Sequence, residues 1–190
     1  MNIPNILTLI RVLLIPVFVA FYFINMPYWY AWAGLIFVIA SFTDWLDGYL
    51  ARKWNQVTTF GKFVDPIADK LLVLAALLLL LVWGKLGEGF GLPSGTGLLA
   101  VLILLSREFI ISGFRLVAAS KGVVIAADKS GKIKTALQMV AIILLLFNGL
   151  LFGDAGIWAG LVLIYASVVV SIYSCIEYIV KNKKVFKENE

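Results

Sequence analysis

The sequence predicts an all-α integral membrane protein with six transmembrane helices and a short N-terminal interfacial helix, built as a single membrane domain over residues 1–190. Three observations lead there. The chain is 62% hydrophobic, with a mean hydropathy of +1.00. Charged residues make up 14% of it, well below the level of about 25% usual in soluble domains. Apolar runs of roughly 20 residues, enough to cross a bilayer, recur along nearly the whole length and leave no room for a separate soluble domain.

The opening MNIPNILTLIRVLLIPVFVAFYFI is read as interfacial up to Thr8 and as a first span over about 9–26. Its one positive charge, Arg11, lies within the apolar run, and no small-residue cleavage site leads into a polar region. It is therefore expected to be a retained segment. After NMPY, a second span covers about 29–51 and ends at the polar connection KWNQVTTFGK. The third, about 63–84, is predicted to carry Pro66 in its first turn, where a missing N–H does no harm, with Asp65 as its cap. The glycine-rich GKLGEGFGLPSGTG leads to a fourth span over about 94–120, and SKGVVIAADKSGK to a fifth over about 132–152. FGDAG then opens the sixth, over about 156–180.

The basic residues orient these spans. Arg52, Lys53 and Lys62 lie in one connection, Lys121, Lys129, Lys132 and Lys134 in another, and Lys181, Lys183, Lys184 and Lys187 in the tail, whereas the opposite side carries only Lys85. This asymmetry places both termini in the cytoplasm. The net charge of +5 is thus a topology signal that also meets anionic lipid head groups, and no nucleic-acid partner is expected. Histidine is absent, so any metal must be held by oxygen, which favours Mg²⁺, Mn²⁺ or Ca²⁺ over Zn²⁺. The single cysteine, Cys175, lies in an apolar segment and reads as packing.

Against this background, DWLDGYLARKWNQVTTFGKFVDPIAD (44–69) stands out. Asp44, Asp47, Gly48 and Ala51 are spaced to share one helical face, and Asp65 and Asp69 share another. A central intramembrane aspartate costs about 2.5–3.5 kcal/mol on insertion scales, so four uncompensated ones would cost on the order of 10 kcal/mol. Arg52 and Lys70 are too few and too peripheral to neutralise them. Divalent cations do so economically. Gly48, Ala51 and Gly61 would let a bulky ligand approach the backbone.

The set Asp44, Asp47, Gly48, Ala51, Arg52, Gly61, Asp65 and Asp69, at these spacings, resembles the signature of the CDP-alcohol phosphatidyltransferase family at every fixed position. The six-span layout resembles that family too, so the likeness covers essentially the whole chain. It implies the CDP-alcohol phosphotransferase fold and a site with two divalent metal ions, Mg²⁺ or Mn²⁺, held by Asp44, Asp47, Asp65 and Asp69. Asp69 would also be the catalytic base that takes the alcohol proton. Gly48, Arg52, Thr58 and Gly61 would contact the CDP-lipid, joined by Asn5 and Thr8 from the N-terminal NIPNILTLIR. The resemblance further implies a homodimer in a bacterial plasma membrane with its active site on the cytoplasmic side.

A second, basic lobe bears on the acceptor. Arg107 lies deep in the fourth span, where a cation needs an anionic partner, and Glu108 is expected to point elsewhere around the helix. Arg115 is eight residues on, about 12 Å of helical rise, so the two arginines need not touch the same phosphate. Lys132 and Lys134 open the fifth span just after Gly131. Together these four predict a phosphorylated acceptor. REFIIS (107–112) with GKIKT (131–135) resembles bacterial family members that use glycerol 3-phosphate, although the run after Arg115 departs from many relatives. The expected reaction joins glycerol 3-phosphate to the phosphatidyl group of CDP-diacylglycerol, giving phosphatidylglycerophosphate and CMP. The alternatives are a sibling enzyme using inositol phosphate, serine or phosphatidylglycerol, and a divalent-cation transporter. A transporter would distribute its acids towards both faces, whereas the opposite half carries only the loop residues Glu88 and Asp154.

Overall fold

A computed structural model describes residues 3–24, 26–53, 59–123, 125 and 129–182. Within these the protein is helical: α1 (Ile3–Phe23), α2 (Trp29–Lys53), α3 (Thr59–Val82), α4 (Thr96–Ser120), α5 (Lys129–Leu146) and α6 (Gly153–Asn182), with a single 3₁₀ turn at Glu88–Phe90. No strand occurs among the described residues. Among the described residues three stretches are long and apolar enough to cross a membrane, namely Ile6–Phe23, Thr96–Ser120 and Gly153–Asn182; Trp29–Asp44 and Lys70–Val82 are shorter apolar helices.

The N-terminal segment read as interfacial up to Thr8 is helical and continuous with the first span, since α1 runs without interruption from Ile3 to Phe23. One expectation about boundaries is corrected. Helix α3 begins at Thr59, ahead of the predicted start, so Pro66 lies within the helix and Asp65 is not its cap. The polar TTFGK run had been read as connection, but its residues 59–62 form the first turn. The polarity of that run suits a helix end lying outside the apolar layer as well as it suits a loop.

The chain divides into two compact units, residues 1–83 with 142–157, and residues 84–141 with 158–190. In the first unit, α1 packs against both α2 and α3. The buried rings of Phe18 and Phe37 lie 6.2 Å apart, and seven residues further along each helix Arg11 meets Asp44. Equal steps in opposite directions fix α1 and α2 as antiparallel and set their register. On the same count, Thr8 lies level with Asp47. Helices α2 and α3 are antiparallel as well. The rings of Trp29, at the start of α2, and Trp83, just past the end of α3, are 4.6 Å apart, and Tyr30 stacks on Trp83 at 5.4 Å. Tyr22, near the end of α1, joins this aromatic group with its ring 5.2 Å from that of Trp29, as suits an end seated at the lipid–water boundary.

In the second unit, α4 buries Ala100, Val101, Leu104, Ile111, Phe114 and Ala118 along one stripe, and α6 buries Leu161, Ile164 and Val168. The Tyr165 hydroxyl donates to the Leu86 carbonyl at 2.8 Å, fastening the loop ahead of α4. Within that loop the Lys85 ammonium lies 5.4 Å from the centre of the Phe90 ring. Burial lowers the pKa of Lys85 below the ordinary lysine value. At the other end of α4, Phe114 and Tyr178 meet edge to face with ring centres 5.6 Å apart, and Ile111, Ile125 and Cys175 complete the cluster. The packing reading of Cys175 fits this placement.

Candidate active site

The aspartates of the motif stand at matched heights. From the aromatic contact of Trp29 with Trp83, Asp44 is fifteen residues along α2 and Asp69 fourteen back along α3. At 1.5 Å per residue, both backbones lie about 21–23 Å from that contact. Asp47 and Asp65 are each eighteen residues away, about 27 Å. The antiparallel pair therefore sets the four positions as two level pairs at the end of the unit opposite the aromatic group. The side chains of Asp47, Asp65 and Asp69 lie outside the described residues. So do those of Asn5 and Arg52, the surroundings of Gly48 and Gly61, and the whole of Thr58; the backbones of Asn5, Gly48, Arg52 and Gly61 are helical.

Asp44 is described, and its partner was missed from the sequence. Arg11 of α1 is fully buried and places Nη1 2.5 Å from Asp44 Oδ1, while Asp44 keeps 39% of its side chain exposed. A buried guanidinium is tolerated where a carboxylate compensates it, and Asp44 supplies that compensation. The signal was present as an arginine in the middle of an apolar run, three residues beyond Thr8 on the same helical face. Thr8 itself is 1% exposed, packed within the unit.

Asp44 offers a partly exposed carboxylate beside Arg11, and the chain has no imidazole. That chemistry fits a hard divalent cation. Among the described residues no three such side chains meet, and the side chains of three of the four motif aspartates lie outside them.

The second unit contains the basic residues, and the structure separates them. Lys134 is almost fully buried and donates to Glu108 Oε1 at 2.8 Å. Arg107 Nη1 donates to the same oxygen at 3.1 Å, and its Nη2 donates to Ser174 Oγ at 2.8 Å. Glu108, expected to point away, instead joins the two cations: neighbouring side chains on a helix diverge by 100°, but Arg107 and Glu108 are both long enough to bend towards each other. Arg107 Nε is buried and has no hydrogen-bond partner among the described residues. A Cβ at Gly131 would come within 2.8 Å of Arg107 Nη2, so the guanidinium lies in a notch that only glycine leaves open. Arg115 is directed elsewhere. Its Nε donates to Tyr178 Oη at 3.2 Å, with the guanidinium 5.7 Å from the centre of that ring, in keeping with the expectation that the two arginines need not share a phosphate. Lys132 is exposed. Nearby, Ser130 donates to Glu177 at 3.2 Å, and Lys181 pairs with Glu177 from the next turn of α6.

Comparison with known proteins gives a consistent result. The CDP-alcohol phosphatidyltransferase family pattern matches residues 1–173. A Bacillus subtilis protein named CDP-diacylglycerol–glycerol-3-phosphate 3-phosphatidyltransferase is 39% identical, over 98% of this chain and 97% of its own length. Proteins of the same name from Salmonella paratyphi A and Escherichia coli K12 are 39% and 38% identical, each over 94% of this chain and 93% of their own. With the family pattern spanning both units and relatives matched nearly end to end, the chain belongs to the CDP-alcohol phosphatidyltransferase family.

Proposed function

We propose that this protein is a membrane-bound CDP-diacylglycerol–glycerol-3-phosphate 3-phosphatidyltransferase, acting in phospholipid biosynthesis. The observation that carries the reading is the near end-to-end similarity to relatives bearing that one name. In the reaction a hydroxyl oxygen of glycerol 3-phosphate forms a bond to the phosphorus that carries diacylglycerol. The bond from that phosphorus to the CMP oxygen breaks, and CMP leaves with the electron pair. Asp69 accepts the hydroxyl proton.

Asp44, Asp47, Asp65 and Asp69 hold two divalent cations, Mg²⁺ or Mn²⁺; the level pairing of these positions on α2 and α3 supports that ligand set. When bound, the cations supply charge neutralisation at the phosphorus and at the leaving group. Arg11 holds Asp44 in place. Asn5, Thr8, Gly48, Arg52, Thr58 and Gly61 bind the CDP-lipid; the buried position of Thr8 level with Asp47 supports its share of that role. Arg107 and Lys134 bind the acceptor phosphate, a reading supported by the buried Nε–H of Arg107, a charged donor ready for a phosphate oxygen. Arg115 and exposed Lys132 add positive charge for steering. We place both termini and the site on the cytoplasmic side of a bacterial plasma membrane, and the protein as a homodimer with one functional domain. The basic connections support the first statement, and the family pattern running across both units supports the single domain.

The test is direct. Purified protein is assayed with CDP-diacylglycerol, Mg²⁺ or Mn²⁺, and a panel of alcohols. CMP release with glycerol 3-phosphate is the expected outcome. Turnover with serine or inositol phosphate, and none with glycerol 3-phosphate, would refute the acceptor.

A further inference from the structure

Glu108 occupies an unusual position for a carboxylate in a site meant for an anion. One oxygen, Oε1, receives both Lys134 Nζ at 2.8 Å and Arg107 Nη1 at 3.1 Å. Lys134 keeps 3% of its side chain exposed and Arg107 11%, whereas Glu108 keeps 27%. Two nearly desolvated cations from α4 and α5 are thus gathered by a single negative charge from α4. A carboxylate placed between them offsets the repulsion that two like charges have in a low-dielectric site. The rest of the cradle is already committed to Arg107: Ser174 accepts from its Nη2, and the absent side chain of Gly131 leaves room for the same group. Glu108 Oε1 ties Lys134 to the same group, since it receives both cations.

We infer that Glu108 is a positioning residue for acceptor binding, an internal anion that clamps Arg107 and Lys134 at the spacing a phosphate needs before the phosphate arrives. The inference rests on the reading of Arg107 and Lys134 as acceptor ligands and adds a residue to which that reading gave no role. A preorganised pair binds better because the ordering has been done at folding and not at binding. Glu108 touches the cations and not the reacting atoms, so its removal acts on acceptor affinity and leaves the chemical step in place.

The experiment uses full-length enzyme in detergent micelles with CDP-diacylglycerol, varying each substrate in turn for Glu108→Gln and Lys134→Met. For Glu108→Gln, the KM for glycerol 3-phosphate is expected to rise about tenfold, the order lost with one charge-assisted contact, while kcat and the KM for CDP-diacylglycerol stay near wild type. A general structural role would move both KM values and kcat together, and that pattern overturns the inference, as does an unchanged acceptor KM. Lys134→Met separates the two layers. If it raises the acceptor KM and Glu108→Gln does not, only the clamp fails. If Lys134→Met leaves the acceptor KM untouched, the acceptor site itself has been misassigned and the clamp falls with it. Should Glu108→Gln not accumulate in the membrane, Glu108→Asp decides the matter. Its carboxylate is one methylene too short to reach both cations, so a selective rise in acceptor KM supports the clamp and an unchanged value rejects it.

Discussion

At the scale of single residues, the site is a problem of charge compensation inside an apolar protein. The sequence made the four aspartates conspicuous because their spacing is periodic, but it left Arg11 and Glu108 in the background. Each has a partner distant in the chain: Asp44 is thirty-three residues from Arg11, and Lys134 twenty-six from Glu108. Helical periodicity reports which residues share a face, not which face meets it. Two substitutions test the charges. Asp69→Asn removes the base without changing size, so turnover should fall by about 10²–10⁴-fold while binding of a CDP-lipid analogue is largely retained; an active Asn variant would remove Asp69 from the mechanism. Arg11→Met deletes a fully buried cation whose carboxylate partner stays partly solvated. The cost should therefore lie near that of one charged hydrogen bond, about 1.5–3 kcal/mol, below the 3–5 kcal/mol typical when a buried charge is stranded. It would be read as a lowered Tm of the detergent-solubilised protein, and a Tm equal to wild type would deny the pair any structural weight.

At the scale of elements, the order of the helices among the described residues was legible from the apolar runs, although only three of these helices are long and apolar enough to cross a membrane. The start of α3 was not, since a polar helix end and a polar loop have the same composition. The register of α2 against α3 was also hidden, because it is set by Trp29 meeting Trp83 across fifty-four residues of chain. Gly131 shows how an element end can be tuned for a neighbour's side chain. Alanine there should favour α5, by up to about 1 kcal/mol on helix propensity, yet its methyl group would enter the place of Arg107 Nη2. The far end of an arginine moves easily, so the fold tolerates the change while the guanidinium does not keep its position. Gly131→Ala is expected to leave Tm unchanged or slightly raised and to increase the KM for glycerol 3-phosphate severalfold. A variant with wild-type kinetics would show that Arg107 does not need its notch.

At the scale of the whole molecule, the division into two compact units could not be read from hydropathy. Each unit takes pieces of α5 and α6, and contiguous apolar runs carry no mark of where their packing partners change. What hydropathy and charge do carry is an orientation, and it can be tested without assuming any chemistry. Lys53, at the end of α2, and Glu88, in the loop between α3 and α4, are both exposed. One follows the acidic face and the other follows the aromatic end of α3, so a helix crossing the membrane puts them on opposite sides. With the native Cys175 replaced by alanine, single cysteines introduced as Lys53→Cys and Glu88→Cys are treated in intact cells with a membrane-impermeant maleimide. The positive-inside asymmetry requires Glu88→Cys to label at once and Lys53→Cys only after the membrane is opened. The reverse pattern would turn the protein over and place the aspartates away from the cytoplasm. A nucleotide-activated lipid made there could then reach them only from the far side. Equal labelling at both positions would mean that α3 does not cross the membrane, and the level pairing of the aspartates would have to be understood within a helix lying along the surface.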